Sequence, residues 1–89
     1  MLRWKNLSWS LSDAEQLLSN IDALSTNNCL KAASALTREF GKAGEPLFLD
    51  WCMTAPNWNE AWAVNAYRRA DPSRAGMSLL VRIAKDGGF

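Results

Sequence analysis

Cys29-Leu30-Lys31-Ala32-Ala33-Ser34-Ala35-Leu36-Thr37-Arg38-Glu39-Phe40-Gly41 has the pattern of an amphipathic helix. Apolar side chains recur at the three- and four-residue spacing of one helix face, at Cys29, Ala33, Leu36 and Phe40. The pattern predicts a helix from about Asn28 to Phe40, ended by Gly41 in the left-handed region. Small residues at positions 32, 33 and 35 would let another helix approach closely.

The sequence on either side of this segment predicts four more helices. They run from Ser12 to about Leu24, from about Glu45 to Pro56, from Asn57 or Asn59 to about Arg69, and from about Gly76 to Asp86. Ser12 and Glu15 have the spacing of a capping box, Pro46 suits a first helical turn, and Gly87-Gly88 stops the last helix. We therefore predict an all-α protein, a compact bundle of about five short helices with a short irregular N-terminal segment. Residues 1–11 are predicted as an extension and residues 12–89 as the helical domain.

Composition excludes several classes of function. The 89 residues carry ten basic and nine acidic side chains, so net charge by itself indicates neither a nucleic-acid nor a membrane partner. The chain has no histidine, the commonest general base and metal ligand, and we expect no metal and no cofactor. Cys29 and Cys52 are predicted to be buried free thiols, and a disulfide is the alternative. With no long apolar run and no signal peptide, a cytoplasmic location is expected.

Residues 29–41 resemble the stretch W-x-x-V-G-M-A-L-K-x-E-F-G of the primase C-terminal type-two domain family. These helical modules occur in replication proteins of phages, plasmids and other mobile genetic elements. Further similarities follow in the family's order: Leu47-Phe48-Leu49-Asp50-Trp51-Cys52 is similar to L-W-x-x-W-S, Trp58-Asn59 to Y-N or Y-D, Tyr67-Arg68 to W-R, and residues 77–89 to I-G-T-L-F-x-L-A-K-x-x-G-W. The resemblance spans about residues 13–89. It departs at Cys29, where the family usually has Trp, and at Met77-Ser78-Leu79, where I-G-T is common.

The resemblance implies a module beside a primase-polymerase domain and a hexameric helicase domain. Such modules are thought to help the primase hold template DNA or nucleotide, or to couple primase to helicase. The chain has no phosphate loop of the form G-x-x-x-x-G-K-[ST] and no acidic set resembling a two-metal polymerase site. We therefore expect a non-catalytic accessory module rather than an enzyme, with single-stranded DNA and a primase or replicative helicase as candidate partners.

The distribution of charge indicates where DNA would bind. From Ala61 to Phe89 five basic residues face two acidic ones, whereas Glu45 to Glu60 holds three acidic residues and no basic one. Candidate nucleic-acid-binding residues are Arg68, Arg69, Arg74, Arg82, Lys85, Arg3 and Lys5. Lys31 and Arg38 are outlying cations on the second helix. The alternative is an ordinary solvated helix end, where arginine interacts favourably with the helix dipole.

The tryptophans allow two interpretations. Trp4 and Trp9, flanked by Arg3 and Lys5, are suited to stack on single-stranded bases, or they cover an exposed end of the bundle. Trp51, Trp58 and Trp62 are predicted to be core residues, and a ligand-stacking pair of Trp58 and Trp62 is the alternative.

Two hypotheses for the function follow. The first is a replication accessory module that contacts single-stranded template DNA or couples primase to helicase. The second is a protein-docking module that binds a primase, a helicase or a second copy of itself through a face bearing Trp4, Trp9 or Phe89, without touching nucleic acid.

Overall fold

In the computed structural model, which describes residues 9–86, the chain forms α-helices joined by short turns. The elements are α1 (Leu11–Leu18), α2 (Thr26–Phe40), a 3₁₀ helix (Gly41–Gly44), α3 (Glu45–Cys52), α4 (Glu60–Arg68) and α5 (Met77–Asp86). No strand occurs in this part of the chain. The Cα radius of gyration is 12.2 Å, close to the value of about 12 Å expected for a compact domain of this length. The all-α class is therefore confirmed.

Helix α2 is the central element, in contact with the 3₁₀ helix, α3, α4 and α5. Its middle is buried over five consecutive residues, from Ala32 to Leu36. Five successive residues at about 100° each cover the whole circumference of a helix, so α2 is surrounded at this level. The predicted close approach of a neighbouring helix at the alanines is realised on more than one side.

The start of α1 differs from the prediction. Ser10, not Ser12, is the N-cap, and its Oγ accepts a hydrogen bond of 3.0 Å from the Asp13 N–H. Ser12 lies inside the first turn. The capping box predicted from Ser12 and Glu15 is therefore wrong by two residues.

Helix α1 also ends at Leu18, well before the predicted Leu24. The hydroxyl of Ser19 and the side-chain amide of Asn20 both donate to the carbonyl of Gln16, at 2.6 and 3.1 Å. These side chains compete with the next backbone N–H groups for helix carbonyls. As a result Ile21 is buried after a turn, whereas Leu24 is half exposed.

Other helix ends agree with the sequence more closely. Gly41 ends α2 with φ of +60° and ψ of −134°, a combination that only glycine adopts readily. Pro46 lies in the first turn of α3, and Asn59 caps α4 by accepting a 2.9 Å hydrogen bond from the Trp62 N–H. Helix α3 ends at Cys52 rather than near Pro56. After this end the Thr54 hydroxyl donates a hydrogen bond of 2.7 Å to the carbonyl of Trp51. The predicted stop at Gly87-Gly88 lies outside the described residues.

An aromatic cluster joins α3 to its neighbours. The ring of Phe48, fully buried, lies 6.0 Å from that of Trp51 and 5.4 Å from that of Tyr67 in α4. The indole Nε1 of Trp51 donates to the carbonyl of Ile21 at 3.2 Å, which ties α3 to the turn after α1. Burial raises the pKa of Tyr67, so its hydroxyl remains a donor, and it bonds the carbonyl of Gly41.

We expect Gly44→Ala to destabilise the fold. A Cβ at this position would collide with the Tyr67 hydroxyl and lie 3.3 Å from the Leu36 carbonyl oxygen and from the Phe40 Cβ. Overpacking of this kind costs about 2 kcal/mol, and urea denaturation followed by circular dichroism measures it. Gly76→Ala is the matched control, because its added methyl group meets only the Arg38 side chain at 3.9 Å. An equal loss in both variants would contradict the close approach at Gly44.

Candidate nucleic-acid interface

Trp62 is 42% exposed on the surface of α4, and its prediction as a core residue is wrong. The buried face of α4 is formed by Ala63 and Tyr67, which are four residues apart. Trp62 lies one residue before Ala63, a rotation of about 100° around the helix axis. This rotation places the indole beside the buried face of α4 rather than within it. The hydrogen bond that the Trp62 N–H donates to the Asn59 side chain fixes the backbone at Trp62 in the first turn of α4. The indole is thus an exposed aromatic surface on an ordered backbone.

The other tryptophans of the described chain are less accessible. Trp51 is buried, as predicted, while Trp58 and Trp9 are partly buried against the core. Trp58 precedes the Asn59 N-cap, so it lies outside α4, whereas Trp62 lies in its first turn. The backbone N–H of Trp9 donates to the Glu39 carboxylate at 3.3 Å, which ties this residue to α2. Trp4 lies outside the described residues.

A shallow cleft of about 530 Å³ runs along the contact of α2 with α4. Leu30 and Ser34 line it from α2, and Trp62 lines it from α4. Arg69 at the end of α4 and Arg74 in the following turn complete its basic side. Two of the predicted DNA-binding arginines therefore share one cleft with an exposed aromatic ring.

Arg38 is a further cation on α2, outside the lining of this cleft. Leu30, Ser34 and Arg38 are spaced by four residues and so follow one side of α2. The Arg38 side chain reaches the turn before α5, since its Nη1 lies 3.9 Å from the position of a Cβ built on Gly76. We call the cleft lined by Leu30, Ser34, Trp62, Arg69 and Arg74 the Trp62 cleft. The sequence had placed Arg38 apart from the other candidates, and the packing of α2 against α5 brings its side chain to Gly76 in the turn before α5.

Asp71 is the acidic member of the cleft lining. Its Oδ1 accepts hydrogen bonds from the Ser73 hydroxyl at 2.7 Å and the Ser73 N–H at 3.0 Å. The Ser73 hydroxyl bond is the main cause that lowers the pKa of Asp71, so this carboxylate stays ionised. The Arg74 N–H donates to the Asp71 carbonyl at 3.0 Å. Asp71 thereby shapes the turn that carries Arg74. It also places one negative charge in the lining of the cleft that holds the arginines.

The remaining predicted residues lie elsewhere. Arg68 points to a different cleft, lined also by Lys42 and Tyr67, and pairs with Glu45 at 3.4 Å. Its side chain is 68% exposed, so this pair contributes little to stability. Arg82 and Lys85 are exposed on α5 and do not line the Trp62 cleft. Arg3 and Lys5 lie outside the described residues.

Comparison of the chain with models of known protein families, with curated proteins and with solved structures finds no match. Within residues 9–86 no helix combines the length and the apolar character needed to cross a bilayer. The same residues contain no group of three or more acidic or cysteine side chains that could hold a metal ion. The resemblance to the primase C-terminal family therefore stays a prediction from the sequence.

We expect Trp62→Ala to change stability far less than Trp51→Ala. The exposed Trp62 makes few core contacts, and alanine favours a helix, so the expected loss is below about 1 kcal/mol. Trp51→Ala removes a buried ring and leaves the Ile21 carbonyl without its donor, which costs about 3–5 kcal/mol. Thermal unfolding followed by circular dichroism compares the two. A similar large loss in both variants would show that Trp62 is a core residue after all.

Proposed function

We propose that this chain is a non-catalytic DNA-replication accessory module that contacts single-stranded DNA through the Trp62 cleft. The proposal rests on one observation: an exposed indole, held by a capped helix, shares a cleft with arginines from two elements. Stacking of a base on an aromatic side chain contributes about 1–3 kcal/mol and is tolerant of sequence. Arginines beside the stack bind the phosphates of the same strand.

The shape of the site favours a single strand over a duplex. A base must leave its helical stack to lie against the Trp62 ring, and in single-stranded DNA this costs little. Among residues 9–86 the arginines do not form one long face for a duplex backbone, because Arg68 is paired with Glu45 on another cleft. Asp71 on the cleft limits the net positive charge. Binding is therefore expected to be weak and sensitive to salt.

The replication context comes from the resemblance of residues 13–89 to the primase C-terminal family. In that context the module would hold template near a primase or couple the primase to a replicative helicase. The partners would supply the catalytic residues, and this chain would supply a place for the displaced or copied strand.

A docking function without nucleic acid is the second candidate, and a specific observation favours it. Leu24, Leu30 and Trp62 are large apolar side chains that are each 42% or more exposed, and Trp62 shares one cleft with Leu24 and another with Leu30. An apolar group bounded by polar residues is typical of a protein interface. The face predicted from Trp4, Trp9 and Phe89 lies mostly outside the described residues.

Fluorescence anisotropy with a labelled oligothymidine at about 50 mM salt tests the DNA proposal. We expect Trp62→Ala to weaken binding roughly tenfold, since it removes one stacked base. The slope of log affinity against log salt should fall by about 0.7 for each of Arg69→Ala and Arg74→Ala. A duplex of the same length should bind less tightly.

Arg68→Ala is the matched control, because it removes a neighbouring arginine that faces away from the cleft. Equal weakening by Arg68→Ala and by Arg69→Ala would contradict the site, and no binding at high micromolar protein would contradict the function. If binding is absent and sedimentation shows self-association that Leu30→Ser abolishes, the docking function is favoured instead.

A further inference from the structure

Cys29 and Cys52 both line a second cleft, which shares Trp62 with the cleft that holds the arginines. Cys29 lies in the first turns of α2 and Cys52 is the last residue of α3. Both are free thiols, and the two residues are only 5% and 4% exposed. They line the same cleft of about 250 Å³, whose walls include Leu24, Trp58 and Trp62. Two thiols 23 positions apart in sequence are thus brought together at a surface opening.

The two thiols have different surroundings. The Cys29 S–H donates to the carbonyl of Ala23 at 3.2 Å. A hydrogen bond from the Cys52 thiol lowers the pKa of Cys29, against the opposing effects of burial and of Asp22. The same bond raises the pKa of Cys52, and burial adds to the rise. Cys29 also lies close to the N-terminus of α2, where the helix dipole favours an anion.

We propose that Cys29 and Cys52 form a reversible dithiol–disulfide pair, with Cys29 as the attacking sulfur and Cys52 as the resolving one. The geometry that carries the proposal is the cleft that both buried thiols line, where α2 packs against α3. The inference does not depend on nucleic-acid binding. The oxidant is of the hydroperoxide class.

The chemistry is balanced in two steps. The Cys29 thiolate attacks one oxygen of the hydroperoxide, the O–O bond breaks, and a sulfenic acid forms while the other oxygen leaves as hydroxide or alkoxide and takes a proton. The Cys52 sulfur then attacks the sulfur of the sulfenic acid, the S–S bond forms, and water leaves with the Cys52 proton. The two sulfurs lose two electrons, which reduce the peroxide. With hydrogen peroxide the products are one disulfide and two water molecules.

The structural consequence is a covalent link between α2 and α3. A bond between the sulfurs ties the first turns of α2 to the end of α3 and closes the loop formed by residues 29–52. Closing a loop of this length restricts the unfolded chain and stabilises the folded one. Neither helix has to leave the core, because α2 and α3 already pack against each other and both thiols line one cleft.

The test uses the full chain, reduced and then freed of reductant, and exposed to hydrogen peroxide. Intact mass, thiol titration under denaturing conditions and peptide mapping follow the reaction. We expect both thiols to disappear together, the mass to fall by two hydrogens, and a Cys29–Cys52 cross-linked peptide to appear in a monomeric protein. Dithiothreitol should restore both thiols, and the oxidised form should unfold roughly 10 °C higher.

The single variants assign the two roles. In Cys52→Ala the sulfenic acid of Cys29 has no partner, so a sulfenic-acid trap such as dimedone should label it. In Cys29→Ala the remaining thiol should stay reduced under the same exposure. If either variant fails to fold, as circular dichroism would show, the peptide map of the wild-type chain decides alone.

Several results would overturn the proposal. A gain of oxygen atoms by the wild-type chain instead of a loss of hydrogens is one, and cross-links between chains are another. Oxidation that occurs only in denaturant would identify the thiols as inert core residues. A lower unfolding temperature in the oxidised form would show that the bond can form only by disrupting the fold.

Discussion

The structure depends on the close packing of neighbours around the middle of α2. From Ala32 to Leu36 this helix is buried on every side, and four of the five residues there are Ala or Ser. Small side chains reduce the distance between helix axes, so α3, α4 and α5 can all contact one helix. A larger residue at any of these alanines would push a neighbour away, because a packed interior has no free volume to absorb it. In a chain of 89 residues this one helix organises most of the core.

The same packing produces both clefts. Helix α4 contacts α2 through Ala63 and Tyr67, which leaves Trp62 standing between two grooves. On one side the groove meets the basic turn with Arg69 and Arg74, and on the other it reaches the pair of thiols. The two proposed chemistries are therefore adjacent without sharing polar groups. Their common element is the Trp62 indole, exposed because it lies one residue before the buried face of α4.

Local sequence signals predicted where the helices lie. They predicted some helix ends correctly and others wrongly. The helix-end signals at Pro46, Asn59 and Gly41 agree with the structure. Each is a property of one residue: the fixed φ of proline, the side-chain acceptor of asparagine and the access of glycine to positive φ. The start and end of α1 were wrong. Two serines near residue 10 could each cap the helix, and Ser19 and Asn20 end it by competing for a carbonyl. Propensity alone does not rank such competing hydrogen bonds, since their free energies differ by less than about 1 kcal/mol.

The sequence by itself determined the all-α class, the central helix with its alanines, the burial of both cysteines and the excess of arginine after residue 61. These follow from composition and from periodicity, which act over one or two helical turns. Only the tertiary structure decided which cations share a surface: Arg69 and Arg74 line one cleft, while Arg68, next to Arg69 in the chain, faces Glu45. It also decided that Trp62 is exposed and that Cys29 and Cys52 line one cleft. The reason is physical: rotation of about 100° per residue sends adjacent side chains to different surfaces, and only the packing of whole helices determines what each surface faces.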